Sequence, residues 1–129
     1  MFRISEIQHA VLRVLWERGR STVNETHEAL SADRELALTT VATHLKRLEK
    51  RGLIAHDTEG RRHVYYPLVS ESDMRTSLLD SVTDTVFEGD VAALVSHLLG
   101  ARGVAEGDLE RMAALLERMQ AESEESHDD

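Results

Sequence analysis

The residues best suited to chemistry are hydroxyl and cationic side chains that recur within one predicted helix. At 3.6 residues per turn they fall within one arc, formed by Thr39, Thr43, Lys46, Arg47 and Lys50. Thr40 lies at the edge of this arc. Hydroxyls can hydrogen-bond to phosphates or base edges, while lysine and arginine neutralise phosphate charge. We therefore expect this helix to enter a groove of DNA.

The opposite side of the same helix is apolar. Val41, Leu45 and Leu48 share that side and can pack inward, and Gly52 is placed to end the helix. The apolar pair LI and the run VYY then flank a glycine-containing turn, a pattern typical of a β-hairpin. Arg61 and Arg62 follow Gly60 at the tip of that hairpin. A helix followed by a hairpin with cations at its tip predicts a winged helix-turn-helix.

Two helices are predicted before this one, over residues 5–18 and from Thr22 to about Leu30 or Ser31. Ser5 with Gln8, and Thr22 with Glu25, have the spacing of a capping box, in which a side chain and a backbone amide satisfy each other at a helix start. Three helices with short connections complete the helix-turn-helix. The predicted fold is mainly α-helical with a small β-hairpin wing, and the winged-helix DNA-binding domain is expected to span residues 1–69.

The second half of the chain is predicted to form a helical dimerisation domain over residues 70–122. Three helices are expected, over 70–87, 91–99 and about 106–121, because apolar residues recur there at helical spacing. A single small domain cannot cover that much apolar surface, so a second copy of the chain is the expected partner. The residues expected at the dimer interface are Leu78, Val82, Leu94, Val95, Leu98, Leu109, Met112, Leu115 and Leu116. The acidic tail over 123–129 is predicted to be disordered.

The charge is divided unevenly along the chain. The net charge is −9, yet residues 1–69 contain eleven Lys and Arg against nine Asp and Glu, whereas the remainder contains four against fifteen. DNA can therefore approach the first half through a local basic patch. The chain has no cysteine, and neither a membrane span nor a signal peptide is recognisable. These features predict a soluble, cytoplasmic protein without membrane insertion.

Four segments resemble the penicillinase-repressor family, BlaI/MecI/CopY. They are VLRVLWERG at 11–19, LTTVATHLKRLEKRGLI at 38–54, GRRHVYYPLVS at 60–70 and ALVSHLL at 93–99. The resemblance runs from Ile4 to about Leu116. It implies a homodimeric repressor of transcription with an N-terminal winged helix, bound to a palindromic operator in double-stranded DNA.

The resemblance also implies roles for individual residues. Family contacts to DNA match Thr39, Thr40, Thr43 and Arg47, with Arg61 or Arg62 at the wing. We expect Thr39 and Thr40 to bind phosphates, and Thr43 and Arg47 to read base edges. Lys46, Lys50 and the wing arginines would contact the backbone.

The inducing signal does not transfer from the family. Members that respond to β-lactams are cut by a membrane sensor-protease at an Asn-Phe bond, and that position here is His97-Leu98. Copper-responsive members have a C-terminal cysteine cluster, which this sequence lacks. Release by such a protease, by a metal or by another signal therefore stays open.

The sequence admits three alternative interpretations. Seven histidines invite a metal-responsive regulator, but none has a tight ligand spacing, so neither a metal site nor a cofactor is expected. His56 and His63 flank the hairpin turn and could face each other across it. A winged helix that serves only as a protein-interaction scaffold would show no salt-dependent binding to DNA. An enzyme is disfavoured because no nucleophile–base pair, convergent carboxylates or phosphate loop is recognisable.

Overall fold

The computed structural model describes residues 4–127. Six helices and three strands follow one another along that part of the chain. In order they are α1 (Glu6–Arg18), β1 (Ser21–Thr22), α2 (Val23–Leu30), α3 (Leu38–Lys50), β2 (Ile54–Glu59), β3 (Arg62–Pro67), α4 (Glu71–Phe87), α5 (Val91–Arg102) and α6 (Asp108–His127). None of these helices is both long and apolar enough to cross a bilayer.

The three strands form one antiparallel sheet in the order β1-β3-β2. The β2–β3 hairpin confirms the predicted wing, and its register pairs Glu59 with Arg62 next to the turn. The two-residue strand β1 was not predicted. It pairs Ser21 with Tyr65 and Thr22 with Val64. A strand this short has no periodicity of its own, so only its pairing with β3 reveals it.

The core of this winged helix is formed by the apolar sides of α1 and α3. Leu12 and Leu15 of α1 and Leu45 of α3 are completely buried, together with most of the Tyr65 side chain. The Trp16 indole Nε1 donates a hydrogen bond to the Val69 carbonyl at 2.9 Å, which fixes the chain after the wing against α1. The predicted inward side of α3 is therefore confirmed.

Both capping boxes are present. The Ser5 hydroxyl accepts from the Gln8 amide at 3.1 Å, and the Thr22 hydroxyl accepts from the Glu25 amide, also at 3.1 Å. In the second box the Glu25 carboxylate accepts the Thr22 amide in return, and this backbone bond, the Thr22 side chain and nearby Arg18 lower the pKa of Glu25. Each box satisfies amides that would otherwise be unpaired at a helix start.

The chain divides into two compact units between Val82 and Thr83, whereas the sequence-based prediction sets the boundary between domains at residue 69. The difference arises in α4. Met74 is only 3% exposed within the winged-helix core, and Leu78 packs against the same core. Leu78 was assigned to the dimer interface, but its apolar surface is partly used inside the first unit.

The second unit, from Thr83 onward, contains the last turns of α4 with α5 and α6. Asp90 caps α5 by accepting from the Ala93 amide at 2.9 Å, and the rings of Phe87 and His97 meet edge to face. Helix α5 continues past the predicted end to Arg102, because Gly100 is tolerated inside it and the chain turns only at Gly103.

Helix α6 also corrects the prediction of a disordered tail over 123–129. It continues through His127, since Glu124 and Glu125 are good helix formers, while residues 128 and 129 lie outside the described range.

Candidate nucleic-acid interface

Helix α3 presents its polar arc to solvent because its apolar side is anchored in the core. Val41, Leu45 and Leu48 are each 0% exposed. The residues on the arc are exposed, namely Thr39, Thr43, Lys46, Arg47 and Lys50. Thr40, at the edge of the arc, is half-buried. The structure therefore brings the predicted helix contacts together on one accessible surface, which we call the α3 arc.

The Thr43 hydroxyl on the α3 arc already forms a hydrogen bond within the helix. The Thr43 side chain donates a hydrogen bond to the Thr39 carbonyl at 2.9 Å, one turn earlier. In this conformation the Thr43 oxygen retains acceptor capacity, so it can receive a proton from a base amino group. The sequence alone does not reveal this restriction.

The start of α3 differs from that of its neighbours. Ala37 occupies the N-cap position and supplies no side-chain oxygen, and the first turn contains no acidic residue. The first amides of the helix consequently have no side-chain cap. Unpaired amides at a helix start suit phosphate oxygens, which is the role predicted for Thr39 and Thr40 at this end of the helix.

The wing places its two arginines differently. Gly60 and Arg61 form the two-residue turn, and Gly60 has a φ of 64°, a conformation that favours glycine. Arg61 is thus at the tip. Arg62 is the first residue of β3 and lies directly opposite Glu59 in the register. Both arginine side chains are exposed.

Ion pairing distinguishes the candidate DNA-binding cations from five other arginines of the first unit. Five arginines each pair with a carboxylate, namely Arg13, Arg18, Arg20, Arg34 and Arg75. Among residues 4–127, no ion pair involves the cations assigned to DNA, which are Lys46, Arg47, Lys50, Arg61 and Arg62. Their charge is therefore not neutralised within the chain.

Two stacked histidines of the wing are linked to α3 through one of them, His56. His56 and His63 stack with ring centroids 4.1 Å apart and planes 14° from parallel, which confirms that they face each other. The His56 ring also lies against α3, where its Nδ1 is 2.5 Å from a carboxylate oxygen of Glu49. Burial, and the Glu49 charge after it, raise the pKa of the neighbouring Tyr65. Sequence reasoning missed Glu49, because its partner is on another element.

The histidines do not assemble a metal centre in the described residues. No three His, Asp or Glu side chains between residues 4 and 127 are grouped closely enough to hold a metal ion. His44, at the margin of the α3 arc, has a buried Nδ1 without a hydrogen-bond partner in this part of the chain. Among these residues, the fold therefore supplies no set of ligands for the interpretation as a histidine-based metal sensor.

Known proteins are similar to this chain over most of its length. A family model described as penicillinase repressor matches residues 4–118. The chain is 35% identical over 113 residues to the transcriptional regulator BlaI of Mycobacterium tuberculosis, covering 86% of this chain and 82% of that protein. It is 31% identical over 97 residues to the penicillinase repressor of Bacillus licheniformis, covering 75% and 76%.

Among solved structures, the chain is similar to the DNA-binding domain of the repressor BlaI, determined in solution. The TM-score is 0.51 and the identity 37%, over 55% of this chain and 87% of that domain.

Proposed function

This chain belongs to the penicillinase repressor family of transcriptional repressors, which are not enzymes, and from that membership we propose its mode of action. It is a homodimer that binds a palindromic operator in double-stranded DNA and blocks transcription until a signal releases it. Each winged helix reads one half-site. The half-sites lie about one helical turn apart, or a multiple of it, so that both α3 helices reach the same side of the duplex.

The observation that carries this proposal is the set of unpaired cations around the α3 arc and the wing. An arginine or lysine that faces solvent without a carboxylate can exchange counterions for DNA phosphates, and the released counterions favour binding. A winged helix used only as a scaffold has no need of five such cations on adjoining elements.

The roles follow from position on the helix. Thr39 and Thr40, at the uncapped start of α3, contact phosphates. Arg47 reaches the major-groove edge of a base pair, most favourably guanine, and Thr43 accepts from a base amino group. Lys46, Lys50, Arg61 and Arg62 neutralise the phosphate backbone and set the register of the protein on DNA.

Apolar surface in the second unit supports the homodimer. Leu98, Leu115 and Leu116 are 44%, 47% and 61% exposed. Large apolar side chains held in water at this density favour association, and a second copy presents the same surface through a two-fold axis. The proposed interface includes Val82, Leu94, Val95, Leu109 and Met112 as well.

The release of the repressor from DNA requires a signal. Family members are named for penicillinase and methicillin resistance, and release by an antibiotic-sensing protease or by a metal are the two routes we retain. His97-Leu98 replaces the Asn-Phe bond that such a protease cuts in the family, so cleavage of this chain would need a different recognition sequence.

The test begins with selection of preferred duplexes from a random-sequence library by the purified protein. Enrichment of a palindrome is expected, with affinity that falls linearly in log salt by about 0.9 for each phosphate contacted. Sedimentation of the complex should give two chains on one duplex. No enriched sequence, together with salt-independent binding, would overturn the proposal in favour of a scaffold.

A further inference from the structure

A concave notch opens where the first turn of α2, the middle of α3 and the wing converge. Its volume is about 370 Å³. Asn24 lines it from α2, Lys46 from α3, and Arg61, Arg62 and His63 from the wing. We refer to these five residues as the basic notch. Lys46 belongs both to the notch and to the α3 arc, so the two surfaces adjoin.

The electrostatics of the notch favour an anion. Three cations converge on it, and none of them forms an ion pair within residues 4–127. No carboxylate is among the residues that line it in the described part of the chain. Like charges brought together repel one another, and an anion placed between them removes that cost. A DNA phosphodiester, beside the groove that α3 would enter, is an anion of suitable size and position.

Two lining residues, Asn24 and His63, are not among the cations assigned to DNA. Asn24 is exposed at the second position of α2 and can donate through its side-chain amide. His63 is held in place from behind, because it stacks on His56, and His56 is tied to Glu49 of α3. The ring of His63 is therefore positioned before DNA arrives, which lowers the entropy cost of a contact.

We propose that the basic notch seats one phosphate of the DNA backbone in each half-site, and that Asn24 and His63 contact it beside Lys46 and Arg61. This rests on the proposed function and adds two phosphate-binding residues to it. A single phosphate held from α2, α3 and the wing fixes the angle at which α3 enters the groove. The notch thereby sets register and contributes no direct base readout.

The first test uses substitutions at Asn24. Asn24→Ala should weaken binding roughly tenfold on selected and unrelated duplexes alike, as expected for a hydrogen bond to a charged group, while the salt slope is unchanged because no charge is lost. Asn24→Asp is nearly isosteric and places an acid in the first turn of α2, where acids favour the helix. It should bind more weakly still without lowering the melting temperature.

Ala29→Asp is the matched control. It adds the same charge to the same helix, at an exposed position on the groove between α1 and α2 and not on the notch. We expect it to bind DNA nearly as the unmodified protein does. If Asn24→Asp and Ala29→Asp weaken binding equally, the effect is one of overall charge and the notch is not a phosphate seat.

The second test identifies the phosphate. A neutral methylphosphonate is placed at each backbone position of a selected duplex in turn. At one position per half-site, the methylphosphonate should weaken binding by the unmodified protein. At that same position it should cause little further loss in Asn24→Ala or His63→Ala, because these variants already lack the contact. His63→Gln retains a side-chain donor and should recover part of the loss.

The outcomes distinguish this inference from the function on which it rests. Losses that simply add at every position would overturn the notch, even when salt-dependent binding to a palindrome is normal. A protein that selects no DNA at all would overturn the proposed function first, before any variant is compared.

Discussion

The two units of this chain bury their apolar residues to very different extents. In the first unit, the sides of α1 and α3 meet in a closed core that includes Val11, Leu12, Leu15, Val41 and Leu45, all completely buried. In the second, no apolar side chain among the described residues is classed as buried. Ten large apolar residues from Val86 to Met119 are exposed instead.

The surfaces of the two units also differ in the kinds of side chain that they expose. The first unit buries a core of apolar side chains and leaves the cations of the α3 arc and the wing without ion pairs to the described residues, whereas the second is acidic and leaves its large apolar side chains exposed or half-buried. Free cations fit a nucleic-acid partner, and free apolar side chains fit a protein partner. We therefore propose a different kind of partner for each unit.

The largest expected effect tests whether only the first unit has a core of its own. Leu12→Ala removes a side chain that is 0% exposed and should lower the free energy of unfolding by roughly 2–5 kcal/mol. Leu116→Ala, at a side chain that is 61% exposed, should have little effect in dilute solution. Denaturant unfolding at low protein concentration measures both. Equal losses would show that the second unit is packed in the isolated chain.

The next effect concerns association of the second unit. Leu115→Asp should weaken dimerisation by about 2 kcal/mol or more, because it places a charge in the proposed apolar interface. Ala114→Asp, on the side of α6 away from the stripe of Leu109, Met112 and Leu116, is the matched control and should stay dimeric. Sedimentation equilibrium measures both variants. A Leu115→Asp protein that remains a dimer would place the interface elsewhere.

A similar effect is expected at the free cations of the first unit. Arg47→Ala should cost roughly 1–3 kcal/mol on the selected operator and less on unrelated DNA, since a base contact carries specificity. Arg18→Ala removes an arginine that is paired with Glu25 and serves as the control, with little expected change in binding. Anisotropy titrations on both duplexes provide the measurement. An equal loss on the two duplexes would mean that Arg47 touches only phosphate.

The smallest expected effect is on the free energy of unfolding of the first unit. Thr22→Ala removes the cap of α2 and should cost about 1 kcal/mol near neutral pH. The capping bonds lower the pKa of Glu25, so their contribution is present above the unfolded-state pKa and is lost as pH falls through the folded-state pKa. The melting temperature of the variant should therefore decline less steeply in acid. Parallel acid limbs would show that Glu25 is not linked to the cap.

Local patterns predicted most of the first unit. The capping spacings of Ser5 and Thr22, the apolar side of α3 and the glycine in the hairpin turn each depend on residues close in sequence, and each prediction is confirmed. The proposed DNA contacts of the α3 arc follow from helical periodicity in the same way and await the measurements above. The strand β1 was not predicted, because two residues are too few to show a periodic pattern. Only their pairing with β3 identifies them as a strand.

Periodicity alone determined that this chain has an amphipathic helix with an outward row of hydroxyls and cations, a basic hairpin after it, and unpartnered apolar helices at its acidic end. Only the tertiary structure decided which cations form no ion pair and that Leu78 packs against the core of the winged helix. It also decided that Glu49 and His56 hold His63 in the same notch as Asn24. The reason is physical. Helical and strand periods relate near neighbours along the chain, whereas pairing of charges and convergence on a notch depend on residues that only folding brings together.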